Sequence, residues 1–133
     1  MIMAIMTDMD SGLQSLEARR MLHVIEYIRG SLGDEVPLAY ISGFLYVAVR
    51  EALGEPVEVL SIAKALEIQE SKASRLVSAL APTGKSGKKG FGFVNKTEDM
   101  YDQRRKYVTI TPKGRAFLHG LLEILQGGVN SNA

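Results

Sequence analysis

The sequence predicts a mainly α fold carrying one β-hairpin, and three observations predict it. Apolar residues recur at helical spacing in five separate stretches. One stretch, "RKYVTIT" from Arg105 to Thr111, alternates instead, with Tyr107, Thr109 and Thr111 set against Val108 and Ile110. Proline and glycine stand at the joints between these segments, where helices start and stop. A chain of 133 residues fits one ordinary domain. That domain is expected at 13–126, with flexible ends at 1–12 and 127–133.

In "LQSLEARRMLHVIEYIRGSLG", Leu13, Leu16, Met21, Leu22, Val24, Ile25 and Ile28 form a broad stripe. It predicts a first helix over 13–30, stopped by Gly30 or Gly33. "PLAYISGFLYVAVREALG" opens with Pro37 at a first-turn position and closes at Gly54. It is nearly apolar all round until Arg50, the mark of the buried helix of the domain. "VEVLSIAKALEIQESKASRLVSAL" splits into helices at 58–66 and 70–81 around the turn "EIQE", and Pro82 closes the second.

"TGKSGKKGFG" is glycine-rich, basic and without period, so it is expected as a mobile surface loop. "FVNK" and "RKYVTIT" then make the two strands of a hairpin joined by "TEDMYDQR". Thr111 before Pro112 supplies a hydroxyl cap and a first-turn proline to the last helix, 112–126. Leu118, Leu121, Leu122 and Leu125 are its apolar stripe.

The net charge of +1 hides an asymmetry. Between Thr83 and Arg115 nine Lys or Arg face three acids, whereas the other 100 residues carry seven bases and twelve acids. A basic region on an acidic chain is the footprint of a surface that meets polyanions; solvated loop charge is the plainer alternative. The hydrophobic share of 46% is high for so small a chain, and self-association is the simplest outlet for helix faces that one small core does not cover.

Enzyme readings find little support. There is no cysteine, which removes thiolate nucleophiles and thiolate metal sites. "GKSGKKG" lacks the spacing of a phosphate-cradling loop, and no strand precedes it. His23 and His119 lie beside apolar helix faces, where a packed or interface histidine is the ordinary reading, and the pairs Asp34/Glu35 and Glu98/Asp99 fall in turns. No catalysis, cofactor or metal is expected. "MIMAIMTDMD" has no basic lead-in and meets an acid early, unlike a signal peptide, and no run approaches a membrane span, so a cytoplasmic protein is expected.

Two short helices joined by a tight turn, with Ile62, Ala63, Leu66, Ile68, Ala73 and Leu76 as inward positions, match a helix-turn-helix. Ala63 is small where the helices must cross closely. Gln69, Glu70, Ser71, Lys72, Ser74, Arg75 and Ser78 then fall on the outer and leading faces of the second helix. Serine, glutamine, lysine and arginine there can hydrogen-bond base edges or phosphates. An ordinary helical hairpin with a polar face is the bland alternative. A helix-turn-helix followed directly by a basic hairpin is, however, the winged-helix order: helices α1 to α4, strand, wing, strand, helix α5. An arginine at the hairpin tip can enter a narrow, electronegative minor groove, with a nearby carboxylate holding the guanidinium or the loop backbone.

"DQRRKYVTITPKG" resembles the wing signature of the multiple-antibiotic-resistance regulator (MarR) family at Asp102, Arg104, Val108, Ile110, Thr111 and Gly114, and "SRLVSAL" from Ser74 is similar to its recognition helix. The resemblance covers about 58–115. It implies that Arg104 is the wing arginine, Asp102 its organiser, and that Ser74 and Arg75 lie on the groove-facing helix. It also implies operator binding as a homodimer through the first and last helices, at Leu13, Leu16, Leu118, Leu121, Leu122 and Leu125, and it allows a small-molecule effector. The chain departs from the family at Glu67, where the turn usually has glycine, at Gln69, where the cap is usually Ser or Thr, and in the inserted "PTGKSGKKGFG". A positive φ at Glu67 would cost on the order of 1 kcal/mol.

The expectation is therefore a sequence-specific regulator of transcription that binds double-stranded DNA as a homodimer, most simply a repressor occluding a promoter. Ser71, Lys72, Ser74 and Arg75 would read or position on the major groove, with Gln69 at the helix start and Lys96 on the wing strand. Arg104 would enter the minor groove, Arg105 and Lys106 would hold flanking phosphates, and Lys85, Lys88 and Lys89 are either loop phosphate contacts or a soluble linker. Two alternatives stay open: a winged-helix module for protein interaction, and a replication or partition factor of a mobile element.

Overall fold

The structure, a computed structural model, describes residues 2–83 and 87–127, with the backbone alone at 2–11 and 13. Its elements are α1 (Ile2–Leu32), α2 (Leu38–Ala52), α3 (Val59–Leu66), α4 (Glu70–Leu80), β1 (Val94–Glu98), β2 (Lys106–Ile110) and α5 (Pro112–Leu125). This is the five-helix, one-hairpin order that the periodicities predict. The chain divides into two compact units rather than the single domain expected at 13–126: residues 35–118 form a winged lobe, and α1 with the end of α5 forms a helical unit.

The lobe is built around three packed phenylalanines. Phe93 lies parallel to Phe117 at 4.7 Å, and Phe44 meets both rings, at 5.7 and 5.5 Å. Such pairs add to the burial of their area. Ile62, Leu76, Val77 and Leu80 complete the core from α3 and α4. Gly43 lets α2 approach α4, since a Cβ there would meet the Leu76 side chain at 2.6 Å.

β1 and β2 pair antiparallel from Val94↔Ile110 to Glu98↔Lys106. On its other edge β2 is held by Val57, whose carbonyl accepts the Val108 N–H at 2.8 Å, and by a bridge between Glu58 and Tyr107. Glu51 of α2 accepts the Ile110 N–H at 2.7 Å and pairs with Arg115 at 2.8 Å, tying α2 to β2 and α5. Thr111 caps α5 as its position predicts: its Oγ1 accepts the Gly114 N–H at 3.0 Å and donates to the Gly92 carbonyl at 2.6 Å. Gly114 faces the Phe93 carbonyl so closely that a Cβ would overlap it.

Four expectations are corrected. The backbone of 2–12 is helical rather than flexible, because no proline interrupts it and Gly12 costs a helix only about 1 kcal/mol. α2 is buried on one face alone, at Gly43, Phe44 and Val47, while Leu38, Val49 and Leu53 are exposed; a small core covers one side of a helix. Pro37 is the N-cap, with extended backbone, rather than the first helical residue. The glycine-rich segment does not float over 87–92: Gly90, Phe91, Gly92 and Phe93 donate their N–H groups to the carbonyls of Pro82, Ala79, Ala81 and Leu80. Those bonds satisfy the orphan acceptors at the end of α4. Residues 84–86 and 128–133, which include Lys85 and most of the expected tail, lie outside the described residues.

In the helical unit, Gly120 sits against the Tyr27 hydroxyl and Gly127 beside the Arg20 guanidinium, so α1 and the end of α5 run antiparallel. Leu32 and Leu121 are buried, yet Leu16, Met21, Leu22, Ile25, Leu122 and Leu125 are exposed.

Candidate nucleic-acid interface

α4 begins without a side-chain cap. Gln69 takes extended backbone at the N-cap, and only its carbonyl acts, accepting the Ala73 N–H at 3.0 Å. Ala73, Leu76, Val77 and Leu80 bury one face, which leaves the serines and cations on the other. That outer face has two flanks. Ser71 and Ser74 look across an open groove of about 750 Å³ to Arg104, Arg105 and Lys106 of the wing, with Glu58 and Glu70 at its rim. Arg75 and Ser78 look the other way, over a hollow of about 390 Å³ shared with Tyr40, Lys88 and Lys89. Lys72 lies beside Arg75 and Tyr40 on that same flank. Lys96 is exposed on β1.

The wing turn is held by its own carboxylates. Asp99 Oδ1 accepts the N–H groups of Tyr101 at 2.8 Å and Asp102 at 3.2 Å, and its Oδ2 accepts the Tyr107 hydroxyl at 3.4 Å. The Tyr101 N–H, then the others, hold the Asp99 carboxyl below its usual range. Asp102 Oδ1 accepts the Arg104 N–H at 3.1 Å and lies 3.4 Å from Arg104 Nε. The Arg104 side chain is otherwise free of the protein, 94% exposed.

Arg105 is placed differently from its neighbour. Its Nη2 and Nε lie 3.0 and 3.3 Å from the two oxygens of Glu58, and its guanidinium covers the Tyr107 ring at 5.9 Å. This fork holds the Glu58 carboxyl below its usual range. Glu58 also accepts the Ser61 N–H while the Ser61 hydroxyl accepts its own, closing a capping box on α3. One carboxylate thus starts the helix-turn-helix and anchors the base of the wing.

The fold is met in solved proteins. The YusO protein of Bacillus subtilis is 18% identical with a TM-score of 0.63, covering 93% of this chain and 77% of that one. A mutant of S. aureus MepR bound to an oligodeoxyribonucleotide is 15% identical with a TM-score of 0.66, covering 89% and 76%. MarR itself is 16% identical with a TM-score of 0.56, covering 86% and 76%. The fold is that of the MarR structures. No family model matches the chain, and no curated protein matches it in sequence.

In this winged helix the structure brings Ser71, Ser74, Arg104, Arg105 and Lys106 together and sets Lys72, Arg75, Lys88 and Lys89 on the opposite flank. Sequence reasoning missed Asp99, Glu58 and Glu51, which shape the interface without belonging to the basic set. The signal for Asp99 was present, since Asp two residues before a turn residue accepts backbone N–H groups. Glu58 and Glu51 act 47 and 64 residues from Arg105 and Arg115, a separation no local pattern carries. Among the described residues no group of three His, Cys, Asp or Glu could hold a metal ion, and no helix is long and apolar enough to cross a membrane.

Proposed function

We propose that the winged lobe binds duplex DNA, α4 in the major groove and the wing at the adjacent minor groove, and that the chain is a regulator of transcription acting as a homodimer. The observation that carries this reading is the shared groove of α4 and the wing. Hydroxyls suited to base edges and phosphates stand on one wall, and three cations stand on the other. The exposed Arg104, steered by Asp102, is placed to enter a narrow minor groove. Arg75, Lys72, Lys88 and Lys89 would meet the phosphates across the major groove.

The fold likeness to a MepR mutant bound to an oligodeoxyribonucleotide supports the reading. Dimerisation would cover the apolar residues that the helical unit leaves exposed, and Leu16, Leu122 and Leu125 of the expected interface are among them. Leu121 is buried within the single chain and is not part of the offered surface. Two copies would present two recognition helices to a two-fold symmetric site, and occupying a promoter is the simplest regulatory consequence.

The test is fluorescence anisotropy on a random-sequence duplex at several salt concentrations, wild type beside Arg104→Ala. Wild type should bind with a steep negative dependence on log salt. The variant should lose about 1–3 kcal/mol of affinity and about one phosphate's worth of slope, with its thermal stability intact. No wild-type binding at low salt would move the assignment to a protein-interaction module.

A further inference from the structure

Among the described residues the two most exposed large apolar side chains are neighbours on the wing turn, Met100 at 86% and Tyr101 at 92%. A single exposed apolar residue needs no explanation. Two in sequence at a turn position, where Gly, Asn, Asp or Ser would be solvated at no cost, call for one. They are also held ready. Asp99 fixes the Tyr101 and Asp102 N–H groups, and the Asp99 N–H and Arg105 N–H close the turn on the carbonyls of Arg105 and Asp102. Little backbone entropy is left to lose when the tip meets a partner.

The surroundings choose the partner. Asp99 spends its charge inward on backbone N–H groups and Asp102 on Arg104, while Glu98 is exposed at the end of β1, so the outward surface at Met100 and Tyr101 is apolar beside the 94% exposed Arg104 side chain. A minor groove has that complement. Its mouth is lined by phosphates that attract a guanidinium, and its walls are the carbon faces of deoxyriboses. Apolar wedges beside basic residues are a known way of gripping it.

We propose that Met100 and Tyr101 pack on the deoxyribose walls of the minor groove beside Arg104, giving the wing a share of affinity that depends neither on salt nor on base identity. This rests on the DNA-binding reading above.

The experiment extends the same titration to the double variant Met100→Ser/Tyr101→Ser and to Tyr101→Phe. The double variant should bind roughly tenfold more weakly at every salt concentration, with the wild-type salt slope, since it loses apolar contact and no charge. Tyr101→Phe should bind like wild type, and neither variant should change the melting temperature, because the two side chains lie almost wholly in solvent. If wild type binds and Arg104→Ala weakens it while the double variant binds as tightly as wild type, the tip proposal fails and the DNA reading stands. A loss that comes with a flatter slope would also overturn it, showing that the tip acts by placing Arg104. If wild type binds no duplex at the lowest salt, both readings fall together.

Discussion

The two units of this chain differ in how much of a core each builds for itself. The winged lobe closes a core, in which Phe44, Phe93 and Phe117 pack on one another and β2 is bonded along both edges, although Leu38, Val49, Leu53, Met100 and Tyr101 of the same lobe stay exposed. The helical unit buries Leu32 and Leu121 but leaves Met21, Leu22 and Ile25 on its surface. The lobe is a core that closes on itself. The helical unit leaves an apolar face open, which the proposed dimer would cover.

The largest test of that contrast is to open the closed core. Phe93→Ala removes the ring that touches Phe44, Phe91 and Phe117 together, and large-to-small changes at such sites cost about 3–5 kcal/mol. That is much of the stability of an ordinary domain. Denaturant unfolding should show the loss in full. A loss below about 1 kcal/mol would mean that the three-ring cluster does not hold the lobe.

The converse test charges the open half. Leu22→Glu with Ile25→Glu should leave the single chain folded, since both side chains are already exposed, at 56% and 44%. In a dimer the same carboxylates would be buried without partners, at about 3 kcal/mol or more. Light scattering should find wild type as a dimer and the variant as a monomer with unchanged helical circular dichroism. A variant that stays dimeric would place the interface elsewhere.

Smaller effects sit at helix ends. α2 and α3 finish with the same pair of bonds, each followed by a residue in left-handed conformation. In α2 that residue is Gly54, at φ 74, and the N–H of Glu55 reaches Arg50. In α3 it is Glu67, at φ 55, and the N–H of Ile68 reaches Ala63 at 3.0 Å. A side chain there costs about 1–2 kcal/mol, partly offset by the greater freedom that glycine has when unfolded. Glu67→Gly should therefore raise stability by about 0.5–1 kcal/mol, and the same change at Gln69, whose backbone is extended, should not. A lower melting temperature for Glu67→Gly would show that the Glu67 side chain has a role of its own.

Local pattern made much of this legible. Helix spacing, the Thr111 and Pro112 start and the alternation at Val108 and Ile110 each depend on a few adjacent residues, and each element appears within one or two positions of where they put it, the start of α1 apart. The strain at Glu67 could be read in the same way, from one residue in a recognised turn. What stayed hidden depends on distance along the chain. "FGF" carries no sign that Phe93 will stack on Phe117, and nothing near Glu58 names Arg105. The basic loop misled because glycine and lysine are the composition of mobile segments, while its N–H groups were bound to the end of α4. Of the candidate site, the residue types were legible, and their division between two flanks of α4 was not.

The smallest effect lies at the wing turn. Asp99 titrates below its ordinary value because the Tyr101 N–H, and then the Asp102 N–H and Tyr107 hydroxyl, favour its charged form. Its contribution is therefore fully present above the unfolded value of about 3.9 and is lost as pH falls through the lower folded one. The amide resonance of Tyr101 should hold still from pH 7 to 5 and move only as pH falls through the lowered Asp99 value. Asp99→Asn keeps an oxygen that can accept both N–H groups and has no proton to gain, so the Tyr101 resonance should then lose the step that follows Asp99. A midpoint at or above the ordinary carboxylate value would mean that Asp99 does not organise the turn, and the readiness of the tip would need another source.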